Sequence, residues 1–186
     1  MAVLVEAISV IIRRRAIDQK YAGGWAGFAL EAPNATLCND DLIARVGFMV
    51  PQDVERFVDH LRREGLDFLV NGTAHDLAVV DQQTGLTTEC QWLEFARVPF
   101  ENSGNVVSAC WFFDEPRIAP GMHFRGEPVD LATPPGWQFE GSLSDRFNFV
   151  PTGEEKERLQ FLRTENEVDV FLDRKTGQEV FVGRVR

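Results

Sequence analysis

The sequence predicts an α+β fold, with a mixed or antiparallel sheet, helices on one face of it and a β-rich C-terminal part. Several segments are apolar on one or both alternating faces, which is typical of strands. One segment, residues 51–64, instead repeats apolar residues at helical spacing. A chain of 186 residues buries a core without disulfide or metal staples. We therefore expect a single domain, residues 1–186, with the order βαβαβββ over residues 1–98 and a β-rich part over residues 99–186.

The N-terminal segment predicts one strand followed by helix. Residues 3–12 are largely apolar on both alternating faces, with Glu6 the exception on one of them, which favours a central strand covered on both sides. Residues 15–31 show helical spacing, and Gly23-Gly24 interrupts them. Because glycine weakens a helix interior, we expect two short helices or one kinked helix.

Residues 42–64 predict a strand followed by an amphipathic helix. The strand places Leu42, Ala44, Val46 and Phe48 on one face and Arg45 on the other. Pro51 suits the first helical position, and Gly65 suits the helix end. The helix has one apolar stripe, formed by Val54, Phe57, Val58 and Leu61. We expect this stripe to pack on the Leu42 face, so that Arg45 points to the side without helices.

The rest of the chain predicts mostly strands. They are expected at residues 66–70, 77–80, 89–98 and 106–114. Residues 115–137 contain five prolines and predict a long ordered loop, a kind of segment that is often functional or covers something. The tail predicts a strand near residues 147–149, a short helix at 154–159, and a hairpin of residues 168–172 and 180–182.

Charge excludes several classes of function. The chain has 19 Lys and Arg against 29 Asp and Glu, so its formal net charge is −10. Phosphate backbones and anionic membrane surfaces both select basic proteins, so we expect neither a nucleic acid nor a membrane as partner. There is no apolar run of membrane-spanning length and no secretory leader, which favours the cytoplasm. An acidic surface suits a basic protein partner.

Cysteines and histidines predict no metal or cofactor. Cys38, Cys90 and Cys110 are widely spaced, and together with the histidines they complete no zinc spacing. The sequence also lacks phosphate-binding glycine patterns and nucleophile motifs. We expect buried free thiols, with His60 and His75 exposed on the surface. His123 lies in the 115–137 loop, where a structural role is favoured over a catalytic one.

Residues 42–97 resemble one module of the vicinal oxygen chelate superfamily, the glyoxalase and extradiol dioxygenase relatives. The segments RVGFMV (45–50), GLDF (65–68) and WLEF (92–95), with the helix between the first two, give the order βαβββ. The resemblance implies that Glu94 matches a metal-binding glutamate, while Arg45 stands where the superfamily often has a histidine ligand. A guanidinium cannot ligate a metal, so metal chemistry is in doubt. Ferredoxin-like βαβ units without this kinship are the wider alternative.

The same face suggests a ligand site. If the strand registers align, Arg45, Trp92, Glu94 and Glu6 share the side opposite the helix. Arg45 would then bind the head of a small anionic molecule and Trp92 would stack on it. The alternative is a structural ion pair between Arg45 and one of the two glutamates.

Two functions follow from these patterns. We favour a cytoplasmic, non-enzymatic binding or interaction module, because no catalytic motif is present. The alternative is a small-molecule-binding protein or a glyoxalase-like enzyme that uses the Arg45, Trp92 and Glu94 face.

Overall fold

The computed structural model describes residues 1–100, 105–113, 130–146, 159–165, 168–174 and 179–183. The chain divides into two compact units, Met1–Trp137 and Gln138–Arg186. Both contain antiparallel sheet, and the predicted α+β class is confirmed. The prediction of a single domain, with its parts meeting at residues 98 and 99, stays a prediction.

The first unit contains most of the elements. In chain order they are β1 (Ala2–Val5), β2 (Ile8–Arg13), α1 (Arg14–Lys20), α2 (Gly24–Leu30), β3 (Cys38–Asn39), β4 (Ile43–Phe48), α3 (Pro51–Arg63), β5 (Leu69–Val70), β6 (Thr73–Ala74), β7 (Leu77–Asp81), β8 (Gly85–Leu86), β9 (Leu93–Phe100), β10 (Asn105–Phe112) and β11 (Leu131–Ala132). The second unit contains α4 (Leu143–Arg146), β12 (Leu159–Glu165), β13 (Val168–Asp173) and β14 (Glu179–Gly183).

A five-stranded sheet of described residues, in the order β3-β4-β2-β7-β8, is the centre of the first unit. Both β4 and β7 pair antiparallel with β2, which lies between them. They are therefore parallel to each other, and with α3 between them in sequence they form a split βαβ unit. This is the ferredoxin-like unit that the sequence predicts.

The helices pack on one face of this sheet, as predicted. The apolar stripe of α3 is buried in a core cluster with Ala44, Val46 and Phe48 of β4. Ile17 of α1 and Phe28 of α2 join the same cluster. Residues 15–31 form two short helices, because the helical conformation is interrupted between Lys20 and Gly24. Leu42 does not contribute to this face as expected, since the strand begins at Ile43 and Leu42 is 54% exposed.

A second sheet covers the face that the helices leave free. Its order is β11-β1-β10-β9, and β1 pairs antiparallel with β10. A second core cluster lies between the sheets and joins Val3 and Leu93 of this sheet to Ile11, Ile43 and Val80 of the first. The five-stranded sheet is therefore buried on both faces, which explains why β2 is apolar on both of its faces.

The prediction of one strand over residues 3–12 is wrong. Strand β1 ends at Val5 and β2 begins at Ile8, so the chain leaves one sheet at Glu6 and enters the other after Ala7. Ala7 has a φ of 50°, in the left-handed region that residues with a side chain rarely adopt. Glu6 is the charged residue that interrupts the apolar pattern, and it marks this corner.

Gln82, the residue after β7, satisfies the backbone of the corner at Ala7. The Ala7 amide donates to Gln82 Oε1 at 2.8 Å, and the Gln82 amide donates to the Ala7 carbonyl at 2.8 Å. The Ser108 hydroxyl, from β10, donates to the Gln82 carbonyl at 2.8 Å. Gln82 and Ser108 are both buried. These bonds connect the corner to both sheets. They also give partners to the backbone N–H and carbonyl of Ala7, which strand pairing does not satisfy.

The second unit holds a three-stranded antiparallel sheet, β12-β13-β14, among its described residues. Strands β13 and β14 confirm the predicted C-terminal hairpin. The predicted strand at 147–149 and residues 154–158 of the predicted helix lie outside the described residues, and Leu159 begins β12 instead. Residues 114–129, including His123, also lie outside them.

The left-handed conformation of Ala7 limits which side chains this position tolerates. We expect Ala7→Val to lower the free energy of unfolding by about 1–3 kcal/mol, because a β-branched side chain is strained at positive φ. Ala7→Gly should be nearly neutral, since glycine adopts this conformation without strain. Urea unfolding of both variants measures the two effects, and equal losses would contradict the argument.

Candidate functional site

Arg45 is buried between the two sheets rather than open to a ligand. Its side chain faces away from the helices, as predicted, yet the residue is only 2% exposed. Its Nε donates to Ser9 Oγ at 2.9 Å, Nη2 donates to the Glu6 carbonyl at 2.8 Å, and Nη1 donates to the Thr36 carbonyl at 3.2 Å. Three oxygens inside the protein thus occupy the positions that an anion would need.

The guanidinium also lies close to Gly47. A Cβ added there would lie 2.7 Å from Arg45 Cζ, so the missing side chain makes room for the charged group. Burial lowers the pKa of Arg45 and raises the pKa of the neighbouring Cys38 thiol to about 11, although Arg45 acts in the opposite direction on Cys38. Cys38 is therefore a neutral thiol at pH 7.

Trp92 and Glu94 do not share a face. Trp92 is 4% exposed in the core between the sheets, and its Nε1 donates to the Ala74 carbonyl at 3.0 Å. The predicted strand 89–98 begins only at Leu93, so Trp92 precedes the alternation. Leu93 and Phe95 face the core between the sheets, and alternation directs Glu94 to the opposite face of β9, where its register partner is Trp111.

Glu6 meets Arg45 through its backbone carbonyl. Its carboxylate Oε2 accepts a hydrogen bond from Trp137 Nε1 at 3.1 Å, and the Trp137 ring packs edge-on against Phe100 at 5.4 Å. The structure therefore brings Arg45 and Glu6 together and places Glu94 elsewhere. The assignment of these residues to a ligand site stays a prediction.

A surface groove lies instead where α3 ends. It has a volume of about 660 Å³ and is lined by Asp59, Arg62, Arg63, Gly65, Leu66, Asp67, Phe68 and Leu69. Gly65 ends the helix with a φ of 93°, and its amide donates to the Arg62 carbonyl at 3.1 Å. The chain then enters the short β5–β6 hairpin, whose turn residues Asn71 and Gly72 both have positive φ, as a tight hairpin turn requires.

The groove combines apolar surface with one available guanidinium. Leu69 is 46% exposed and Phe68 is half-buried, while Leu66 closes the core below them. Arg62 lies 3.4 Å from Asp59. Arg63 is exposed and has no side-chain partner within the described part of the chain. Four of the eight lining residues are charged, so the groove is a polar surface hollow with an apolar side at Phe68 and Leu69.

An ion cluster anchors one wall of the groove. Lys20 Nζ lies 2.8 Å from Asp67 Oδ2 and 2.6 Å from Asp76 Oδ2. His75 Nδ1 lies 3.2 Å from Asp76 Oδ1, and the Asp67 amide donates to Asp76 Oδ2 at 2.8 Å. Asp67, His75 and Asp76 offer metal-ligand atoms within 4.8 Å of one another. The Lys20 ammonium bridges both carboxylates, so the cluster ties the loop to α1.

The two surface histidines differ. His75 is exposed, as predicted. The prediction for His60 is wrong: this residue is half-buried, and its Nε2 lies 3.0 Å from the Tyr21 hydroxyl, which donates to Glu31 Oε2 at 2.8 Å. Burial and Glu31 raise the pKa of Tyr21. The phenol therefore stays protonated and joins the ends of α1 and α2 to α3.

Comparison with protein-family models, with curated proteins and with solved structures finds no match to this chain. The vicinal oxygen chelate resemblance therefore stays a prediction. In the described residues there is no helix that is long and apolar enough to cross a membrane.

Sequence reasoning missed the groove because it assigned residues 66–70 to a strand. The structure gives β5 only Leu69 and Val70, and both are exposed. The combination of a helix-ending Gly65 with the Asn71-Gly72 turn indicates a short projecting hairpin, and it is the signal that could have found this site.

The contact between Arg45 and Gly47 can be tested by overpacking. We expect Gly47→Ala to lower the free energy of unfolding by about 1–3 kcal/mol, because the new methyl group meets the guanidinium. In an Arg45→Met background the same change should cost clearly less, since the planar group is gone. A double-mutant cycle measured by urea unfolding checks this, and equal costs in both backgrounds would refute it.

The Lys20 cluster predicts a pH dependence at both extremes. Its carboxylate partners raise the pKa of Lys20 above 10.5, and Lys20 lowers the pKa of Asp67 below 3.8. The stability from Lys20 is therefore complete below pH 10.5 and is lost as the pH rises through its folded-state pKa. The stability from Asp67 is present above pH 3.8 and is lost as the pH falls through its folded-state pKa.

The difference in unfolding free energy between wild type and Lys20→Met should accordingly shrink at both ends of the pH scale. Denaturant unfolding from pH 2.5 to 11.5 measures it, provided that the protein stays folded there. Arg15→Met removes an exposed charge from the same helix and is the control. A difference for Lys20→Met that does not change with pH would contradict the assignment.

Proposed function

We propose that this protein is a cytoplasmic, non-enzymatic binding module that holds its ligand in the groove of residues 59–69. The supporting observation is the pairing of an available guanidinium, Arg63, with exposed apolar surface at Leu69. A preformed hollow of about 660 Å³ lies within the range of small-molecule sites, roughly 300–1,000 Å³.

The alternative is a small-molecule-binding protein or glyoxalase-like enzyme that uses Arg45, Trp92 and Glu94. A ligand at Arg45 would have to replace three internal hydrogen bonds, and at Trp92 it would have to compete with the Ala74 carbonyl. Each such exchange leaves a buried polar group without its partner, which costs about 1–3 kcal/mol. The groove requires no such exchange, so we rank it first.

A basic protein partner is a second candidate. The formal net charge of −10 favours it, because complementary charge speeds encounter and suppresses wrong partners. Such a partner would contact the acidic surface outside the groove, since Arg63 would repel it inside.

A thermal-shift screen of small organic acids, amines and divalent metals tests the groove. A ligand at about 100 times its Kd stabilises a protein by about 2.7 kcal/mol, which is a readily measured rise in Tm. We expect Leu69→Ser to reduce the shift caused by each hit. Leu42→Ser is the matched control, because Leu42 is similarly exposed but does not line the groove.

The outcomes separate the candidates. Hits that lose their effect in Leu69→Ser and keep it in Leu42→Ser support the groove. Hits whose thermal shift is lost in Trp92→Phe but kept in Leu69→Ser support the alternative. A screen without hits, or hits that neither variant alters, would overturn the proposal.

A further inference from the structure

Resting on the proposed function, we propose that the groove at the end of α3 selects amphipathic monoanions, with the anionic head against Arg63 and the apolar part against Phe68 and Leu69. Arg63 stays available to a ligand after the internal ion pairs of the groove are formed.

The acidic side chains of the groove are already engaged. Asp67 lies 2.8 Å from Lys20 Nζ, and Asp59 lies 3.4 Å from Arg62 Nη1. Arg63 is then the charged group of the lining that no described side chain neutralises. An anionic head can therefore pair directly with Arg63, whereas a cation would be repelled by this guanidinium.

The end of the helix does not cancel this preference. Helix C-termini are negative because their last carbonyls lack partners. Here the Gly65 amide donates to the Arg62 carbonyl at 3.1 Å, and the Leu66 amide donates to the Leu61 carbonyl at 3.0 Å. Two of the terminal carbonyls are thus satisfied by the turn, which weakens the negative end of the helix beside Arg63.

The opposite wall of the groove offers the surface against which the apolar part of the ligand packs. Leu69 and the half-buried Phe68 offer surface that a purely polar anion would leave in water. Burying one methylene group strengthens binding about fourfold, so chain length should matter as much as charge.

The test uses amide NMR spectra of the full chain with octanoate, hexanoate, acetate and octylamine as probes. We expect octanoate to shift the amides of residues 65–69 in a saturable way. Hexanoate should bind roughly fifteenfold more weakly, because it buries two fewer methylene groups. Acetate and octylamine should shift these amides far less at the same concentration.

Two substitutions test whether Arg63 is the arginine that binds the carboxylate of octanoate. Arg63→Gln should weaken octanoate binding by about fivefold, a typical effect of losing an exposed ion pair. Arg15→Gln removes an exposed arginine that does not line the groove, so it should leave the affinity unchanged. Thermal unfolding of both variants verifies that they remain folded.

Several results would overturn the inference. They are octylamine binding at residues 65–69 as tightly as octanoate, octanoate binding there equally well in Arg63→Gln, and no octanoate-induced shift in this segment. The first two would leave the groove intact as a binding site of different specificity. In the third case the thermal-shift hits decide separately whether the proposed function fails as well.

Discussion

The buried guanidinium of Arg45 is the interaction on which the arrangement of the two sheets depends. The chain passes from one sheet to the other at Glu6 and Ala7, where strand pairing ends and backbone oxygens need new donors. Arg45 donates to the Glu6 carbonyl and to Ser9, which itself donates to the same carbonyl at 3.1 Å. A buried charge is expensive unless it is hydrogen-bonded, and here its donors satisfy the corner.

The polar groups of Arg45 and Trp92 differ from those of the groove in the partners that they bind. Arg45 and Trp92 have chemistry that suits a ligand, but their polar groups bond to backbone and hydroxyl oxygens of the same chain. The groove at the end of α3 is different, because an exposed guanidinium and exposed apolar side chains meet there at the surface. Lys20 fixes its wall by bonding to both Asp67 and Asp76. A rigid wall lowers the entropy cost of binding.

Prediction succeeded where one local rule decided the structure. The stripe of α3, with Pro51 at its start and Gly65 at its end, follows from helical spacing and capping preferences. It failed where the first residue of a strand depends on the strand's tertiary partners. Strand parity assigned Trp92 and Glu94 to one face, but the strand begins after Trp92, so the indole turns into the core between the sheets. The start of a strand depends on its partners, and the sequence of one strand does not contain them.

By itself, the sequence determined the class of the fold, the interruption of the helical segment at Gly23-Gly24, the amphipathic α3 and the side of β4 on which Arg45 lies, because spacing and backbone sterics are local properties. Only the tertiary structure decided that a second sheet covers that side, that Ala7 turns a corner, and that Arg45 bonds internally while Arg63 stays at the surface. These outcomes depend on which distant strands meet, and burial and hydrogen bonding are settled only when they do.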